Sequence, residues 1–360
     1  MRLSFSASIA CVTLCLSAAI NPVSANTRET SVYSIPATDT HIATMGRVDK
    51  HPDGSLEFGY PGVSFFLQFE GTTLLLDATS SSGQNYIEVI VDEGEPQLFK
   101  LADQWQSLAI TNTATYQKHS VEIIHRSETW HGIVRFKQFA TDGKLLNTPA
   151  LPARKILLLG DSVTCGEAID RVDGSKKDTR WWNPRLSYGM LTAKALNAQV
   201  NLVCMGGHGL IRSWNGKTDE YNLPDFYQFS VAKDQNPISW NHTLYDPDVI
   251  VSAIGTNDFS VGIPDRETYV TTYVKFLLTL LGNHKNAQIV LTEGAILEGE
   301  KKAALKDYLA EALKRVDDKR VHIASSTHFP GDNTDAHPTK EQHAAMAKDL
   351  TSQLKRIMQW

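Results

Sequence analysis

The hydrophobic pattern changes period near Pro149–Pro152, and one kind of sheet cannot carry both patterns. Before that point the apolar runs are short and rich in β-branched and aromatic residues: Val63–Phe69, Thr73–Leu76, Tyr86–Val91, Ser120–Ile124 and Ile133–Phe139. Several alternate apolar with polar, as half-buried antiparallel strands do. Pro61-Gly62, Glu70-Gly71, Ser82-Gly83 and Asp142-Gly143 bound them as turns. No helical period competes, so residues 30–150 are expected to fold as an all-β sandwich or jelly roll.

After Pro152 the apolar segments become continuous. Lys155–Leu159, Val200–Cys204, Val249–Ile254, Gln288–Thr292 and Arg320–Ala324 read as strands buried on both faces. Helical segments around Tyr188–Leu196, Thr268–Leu281 and Lys301–Val316 alternate with them. A last helix is opened by the capping box Thr339/Gln342, with Met346, Leu350, Leu354 and Ile357 on one face. Strands alternating with helices predict a parallel sheet covered on both sides, over residues 153–360.

The first 25 residues have the layout of a secretory signal: Arg2, an apolar stretch without acidic residues, and Val23-Ser24-Ala25 as a cleavage site. Export to the periplasm or the medium, with cleavage after Ala25, is the expectation. The 335 residues left carry 34 basic and 40 acidic side chains, a net charge of −6. That balance gives no basis for a nucleic-acid partner. No later stretch is long and apolar enough to span a bilayer. Cys165 and Cys204 remain after cleavage, and the sequence leaves open whether they pair. No His, Cys, Asp or Glu set has zinc-ligand spacing, so no metal and no cofactor is expected. The sequence does not specify the oligomeric state.

Four polar turns follow these strands. Gly160-Asp161-Ser162 would present a hydroxyl at the carboxyl edge of the sheet, where ligands bind in open parallel folds. Cys204-Met205-Gly206-Gly207-His208-Gly209 offers backbone N–H groups at close approach. Gly255-Thr256-Asn257-Asp258 places an amide donor at a third strand end. Asp335-Ala336-His337 precedes the final capped helix and supplies a base. Each turn alone has an ordinary structural reading, as a tight turn, a flexible loop, an Asx turn or a core histidine; the ordered set does not.

That set resembles the SGNH (GDSL-type) hydrolase superfamily, whose fold is a flavodoxin-like parallel sheet with helices on both faces. The longer string Gly160-Asp-Ser-Val-Thr-Cys-Gly166, with Leu186–Leu196 and Tyr245-Asp-Pro-Asp-Val249, is similar to carbohydrate esterase family 2. Members of that family carry a small jelly roll ahead of the hydrolase domain. The resemblance implies a serine esterase that deacetylates plant polysaccharides or oligosaccharides of the xylan and glucomannan type. It implies Ser162 as nucleophile, His337 as base, and an oxyanion hole from the Ser162 N–H, Gly207 (Gly209 in reserve) and Asn257.

Many members place an acid three residues before the histidine, where this chain has Thr334. The group orienting His337 is therefore left open between Asp335, Asp332 and a backbone carbonyl, with Asp335 named as the candidate acid of the catalytic set. The spacing is unfavourable to Asp335, because residues two apart point the same way only in extended chain. Trp181, Trp182 and Trp214 lie near the motifs and are candidate sugar platforms, with core packing as the alternative. A lipase or thioesterase on the same fold, and a glycan-binding protein without catalysis, are the competing readings. The first would need a wide apolar groove; the second would be expected to lose one of Ser162, Asn257 and His337.

Overall fold

The computed structural model describes Met1, residues 32–233 and residues 235–360. The signal segment expected at 1–25 lies outside the described residues, apart from Met1. Val32–Trp360 forms one compact unit. It contains two large sheets.

The N-terminal half is a ten-stranded antiparallel sheet, so its all-β character is as the alternation indicated. Its long strands differ from the expected segments. Val63–Phe69 and Thr73–Leu76 lie on one 17-residue strand, Ser64–Ser80, and Glu70-Gly71 does not end it. The register shifts between Gly71 and Thr73 against the strand Gln106–His125. The Asp142 carboxylate accepts the N–H groups of Thr72 and Thr73 at that irregularity, at 2.9 and 3.0 Å. A side chain from the next turn thus satisfies the donors that a bulge releases, and the strand continues through a sequence that looks like a boundary. Phe58, Phe65, Phe69, Phe136 and Phe139 fill the core of this half.

The C-terminal half carries five parallel strands: β1 (Arg154–Gly160), β2 (Ala198–Cys204), β3 (Val249–Ala253), β4 (Gln288–Thr292) and β5 (Val321–Ile323). Their spatial order is β2-β1-β3-β4-β5. The chain runs outward from β1 in both directions, so the crevice above β1 and its neighbours is a topological switch point. Gly160 pairs with Cys204 on one side and Ala253 on the other. Register therefore brings the turns after β1, β2 and β3 side by side.

Five helical segments matter for the site: the short turn α1 (Ser162–Cys165), α2 (Tyr188–Leu196), α3 (Arg266–Asn283), α4 (Gly299–Val316) and α5 (Lys340–Met358). Thr339 and Gln342 close the capping box of α5 as expected. Met346, Leu350 and Leu354 are buried beneath it. Cys165 and Cys204 are joined by a disulfide with Cα atoms 5.7 Å apart, linking the end of α1 to the end of β2. Among the described residues no helix is long and apolar enough to cross a membrane.

Candidate active site

Ser162 is the first residue of α1, directly after β1. Asp161 caps that turn, its carboxylate accepting the Val163 N–H at 3.1 Å. Burial pushes the Asp161 carboxyl up to about 6. Gly160 has to be glycine: a Cβ there would stand 2.0 Å from Thr164 Oγ1. Turn and cap together hold the Ser162 side chain at the sheet edge, where it is only 7% exposed.

The Ser162 hydroxyl lies 2.9 Å from His337 Nε2. Asp335 Oδ1 lies 2.6 Å from His337 Nδ1, which makes Nδ1 the protonated nitrogen and leaves Nε2 to accept from serine. The same Asp335 oxygen accepts the His337 backbone N–H at 2.9 Å. This is an Asx turn: the carboxylate folds back onto the chain two residues on and meets backbone and ring together. It corrects the expectation that a spacing of two would carry Asp335 away from the imidazole. Asp332 does not reach the ring; it accepts from Arg171 at 2.8 Å and from two backbone N–H groups of its own loop. Burial disfavours a charged imidazole here, but the Asp335 bond and the Glu167 charge outweigh it, so His337 titrates above its ordinary value. Burial also opposes ionisation of Asp335, and bonds from His337 and Lys177 prevail and hold its carboxyl well below the usual range.

The turn after β2 lies beside the turn that carries Ser162, because Gly160 and Cys204 pair at the strand ends. Gly207 has φ +78°, and its carbonyl accepts the Trp214 N–H at 2.7 Å. Asn257, 8% exposed, donates one amide hydrogen to the His208 carbonyl at 2.9 Å, which ties the turn after β3 to the turn after β2. Asp258 fastens the loop further along by accepting from the N–H groups of Leu210 and Ile211, both at 2.8 Å. Gly209, the reserve donor, packs against that carboxylate; a Cβ there would be 2.3 Å from Asp258 Oδ2.

Four residues that the sequence did not single out complete the site. Glu128, from the N-terminal half, is fully buried, and its carboxylate accepts the Gly206 N–H and, at 2.7 Å, the Trp182 indole N–H. Burial, helped by the charge of Glu167, pushes the Glu128 carboxyl up to about 7. Arg171 clamps the histidine loop by donating to the carbonyls of Asp335, His337 and Pro338. Lys177 bridges Glu167 Oε1 and, at 2.8 Å, Asp335 Oδ2. Glu167 Oε2 lies 3.6 Å from His337 Nε2. Only Glu167 and Arg171 lie within ten positions of one of the four polar turns, and a lone charge near a turn carries no periodic signal.

Trp181 and Trp182, named as candidate platforms, are 4% and 3% exposed and pack with Ala168 in a small core cluster. Core packing, the alternative reading, accounts for Trp181, while Trp182 also edges a groove lined by Glu167 and Lys177. Trp214 is 61% exposed and stands against Gly207. Trp130, which the sequence reading passed over, is 56% exposed and lies between two grooves, one lined by His208 and Tyr221, the other by Glu167 and Lys177. Among the described residues no group of three or more His, Cys, Asp or Glu is placed to hold a metal ion.

Two family models match in tandem: Carbohydrate esterase 2 N-terminal over residues 44–149, and GDSL-like Lipase/Acylhydrolase over residues 156–350. An acetylxylan esterase / glucomannan deacetylase of Cellvibrio japonicus is 58% identical over 331 residues, covering 92% of each chain. The structure of a family two carbohydrate esterase from Cellvibrio japonicus, at 58% identity, superposes with a TM-score of 0.91 and covers 92% of this chain and 99% of that one. A family two carbohydrate esterase from Clostridium thermocellum, solved in complex with cellohexaose, is 27% identical with a TM-score of 0.82, over 89% and 99% of the two chains. Both halves of the fold read from the sequence, the all-β half and the SGNH-type parallel sheet, are those of these structures. The chain belongs to carbohydrate esterase family 2, with a GDSL-like hydrolase as its C-terminal half.

Proposed function

We propose that this protein is an exported esterase that removes O-acetyl groups from plant polysaccharides or oligosaccharides through an acyl-enzyme on Ser162. The observation that carries this reading is the hydrogen-bonded chain Ser162–His337–Asp335, set at the switch point of the parallel sheet. A free serine hydroxyl is a weak nucleophile and needs an adjacent base. In this reading Ser162 Oγ attacks the acetyl carbonyl while His337 Nε2 takes its proton. Asp335 keeps the ring in the productive tautomer and stabilises the imidazolium. The Ser162 N–H, the Gly207 N–H and the second amide hydrogen of Asn257 receive the oxyanion. His337 then returns the proton to the departing sugar hydroxyl, and water releases acetate by the same steps.

Export rests on the signal-like first 25 residues, and the glycan substrate on the kinship with acetylxylan esterases. The two halves are read as separate domains, a β domain over 30–150 and a catalytic domain over 153–360. The test is acetate release from acetylated xylan and glucomannan oligosaccharides, with a medium-chain acyl ester in parallel. The wild-type protein is expected to prefer the acetylated glycans, and Ser162→Ala to release essentially no acetate. Faster turnover of the medium-chain ester, or undiminished release by folded Ser162→Ala, would overturn the reading.

A further inference from the structure

Met205 to His208 close a four-residue turn after β2, the His208 N–H donating to the Met205 carbonyl at 3.4 Å. Gly207, third in that turn, has φ +78°, while Gly206 before it has no positive φ, which is the pattern of a type II turn. Types I and II differ by a flip of the middle peptide, here the one between Gly206 and Gly207. Glycine on both sides of that peptide leaves either form accessible. A flip would turn the Gly207 N–H away and shift the chain that leads on to Gly209.

The turn is held on both sides of this peptide. Upstream, the Met205 N–H donates to the Gly160 carbonyl at 3.3 Å. Downstream, the Gly207 carbonyl accepts from the Trp214 N–H and the His208 carbonyl from the Asn257 amide. These partners all belong to the C-terminal half. The Gly206 N–H instead donates to Glu128 Oε2, which comes from the β half.

A buried carboxylate is unfavourable unless its oxygens are bonded, and both oxygens of the fully buried Glu128 are. Oε1 accepts the Trp182 indole N–H at 2.7 Å, and Oε2 accepts the Gly206 N–H. The Glu128 backbone is fixed too, its N–H donating to His131 Nδ1 at 3.1 Å. Contact with the turn is close: a Cβ on Gly206 would stand 2.8 Å from Glu128 Oε1. The carboxylate therefore fills the space beside the one peptide whose flip would redirect the turn.

We propose that Glu128 is a positioning residue of the oxyanion hole: supplied by the β half, it holds the turn after β2 in the form that aims a backbone donor at the ester carbonyl oxygen in the transition state. This deepens the esterase reading above and rests on its acyl-enzyme chemistry at Ser162, not on which ester is cleaved. Glu128 touches no reacting atom and acts through Gly206. The β half is then part of the reacting centre's machinery, because the donor it steadies works only if already in place when charge develops.

The test uses Glu128→Gln, Trp182→Phe and the double variant in the full chain, on 4-nitrophenyl acetate with a mono-O-acetyl xyloside alongside. In the Gln variant one oxygen must serve two donors, Trp182 and Gly206, and the amide NH2 group confronts the one left over. Trp182→Phe removes the indole donor and keeps an aromatic ring. In the double variant the amide oxygen is free to take Gly206. Active sites are counted by mass spectrometry after complete labelling with a serine-reactive phosphonate, so that misfolded protein does not enter the rates. Glu128→Gln is expected to lower kcat on the aryl ester by about tenfold to a hundredfold with KM little changed, less than outright loss of an oxyanion donor because the donor is misdirected rather than removed. Affinity for a boronic acid that forms a tetrahedral adduct on Ser162 should fall by a similar factor. The double variant is expected to regain most of the loss, which a mere brace between the halves would not do. A double variant slower than Glu128→Gln, or a Glu128→Gln protein that is less stable yet turns over at the full rate per active site, would overturn the inference. Wild-type protein that cleaves the aryl ester but not the xyloside would count against the glycan substrate alone, and the variants would still decide the inference on the aryl ester. Undiminished turnover by Ser162→Ala would overturn the acyl-enzyme reading and this inference with it.

Discussion

At the scale of single residues, Asp335 is the neighbour that most raises the titration of His337, the base of the proposed mechanism. It accepts from His337 Nδ1 at 2.6 Å, and that bond favours the imidazolium. Catalysis needs the neutral ring, so the acid limb of kcat/KM is expected above the ordinary histidine value. Asp335→Asn removes the charge that raises His337. The limb should therefore move to lower pH while the plateau falls, by up to about 10⁴ in kcat if the carboxylate acts as in other triads. A pH–rate profile of the two proteins checks both signs; an unmoved limb would mean that Asp335 does not set the titration. The sequence placed Ser162 and His337 in view because each lies in a short polar turn after or before a strongly patterned element. It offered Asp335 as a candidate without deciding between it, Asp332 and a carbonyl, since an Asx turn depends on backbone angles that the Asp-Ala-His triplet alone does not dictate. Asn257 sits between these cases. Its strand end was legible, but its bond to the His208 carbonyl was not. Asn257→Ala should lower kcat by roughly 10² to 10³ with little change in KM, the usual cost of losing an oxyanion donor. Steady-state kinetics on an acetylated xyloside would show a KM effect instead if Asn257 binds ground-state substrate.

Among elements, the disulfide and Glu128 do the same work by different means: each fixes the turn after β2. The Cys165–Cys204 bridge ties it to the turn that carries Ser162. Glu128, from the N-terminal half, holds the Gly206 N–H. Opening the bridge with Cys165→Ser and Cys204→Ser together is expected to cost about 2–4 kcal/mol of stability. Denaturant unfolding with and without reductant measures it, and the reduced wild-type protein should match the double variant. Strand and helix periods were legible because they repeat locally. Glu128 was not, because it meets Gly206 across 78 positions and no periodicity encodes a partner so remote. The Glu70-Gly71 bulge was misread for a related reason: the carboxylate that permits it belongs to Asp142, about seventy residues on.

For the whole molecule, the question is whether the two halves act as one. Arg47, from the β half, is buried and donates to the carbonyls of Tyr227 and Phe229, at 2.6 and 2.7 Å. Tyr60 donates to the Phe226 carbonyl at 2.6 Å. Arg126, also buried, bonds Glu88 within its own half and reaches across to Asp170, both at 2.7 Å, and to the carbonyls of Trp182 and Arg180. The loop it grips carries Lys177, which in turn orients Glu167 and Asp335. Folding of the β half and geometry of the site are thus linked through a chain of polar contacts, buried at Arg126 and Glu88. Such contacts are costly to break singly, because the partner left behind stays buried and unpaired; removing one side of a buried ion pair typically costs about 3–5 kcal/mol. Arg185 also bonds Glu88 and would keep part of that charge compensated, so Arg126→Ala is expected toward the lower end of the range. The Trp182 and Arg180 carbonyls would lose their donor as well, and the Lys177 loop would loosen. The expected outcome for the wild-type protein is one cooperative thermal transition, since Val32–Trp360 packs as a single compact unit. For Arg126→Ala it is a lower midpoint, with kcat reduced more than the loss of folded protein explains. Calorimetry with active-site titration separates these quantities. Two well-resolved transitions in the wild-type protein, or a destabilised Arg126→Ala whose remaining active sites turn over at the full rate, would show that the β half steadies the fold without shaping the site.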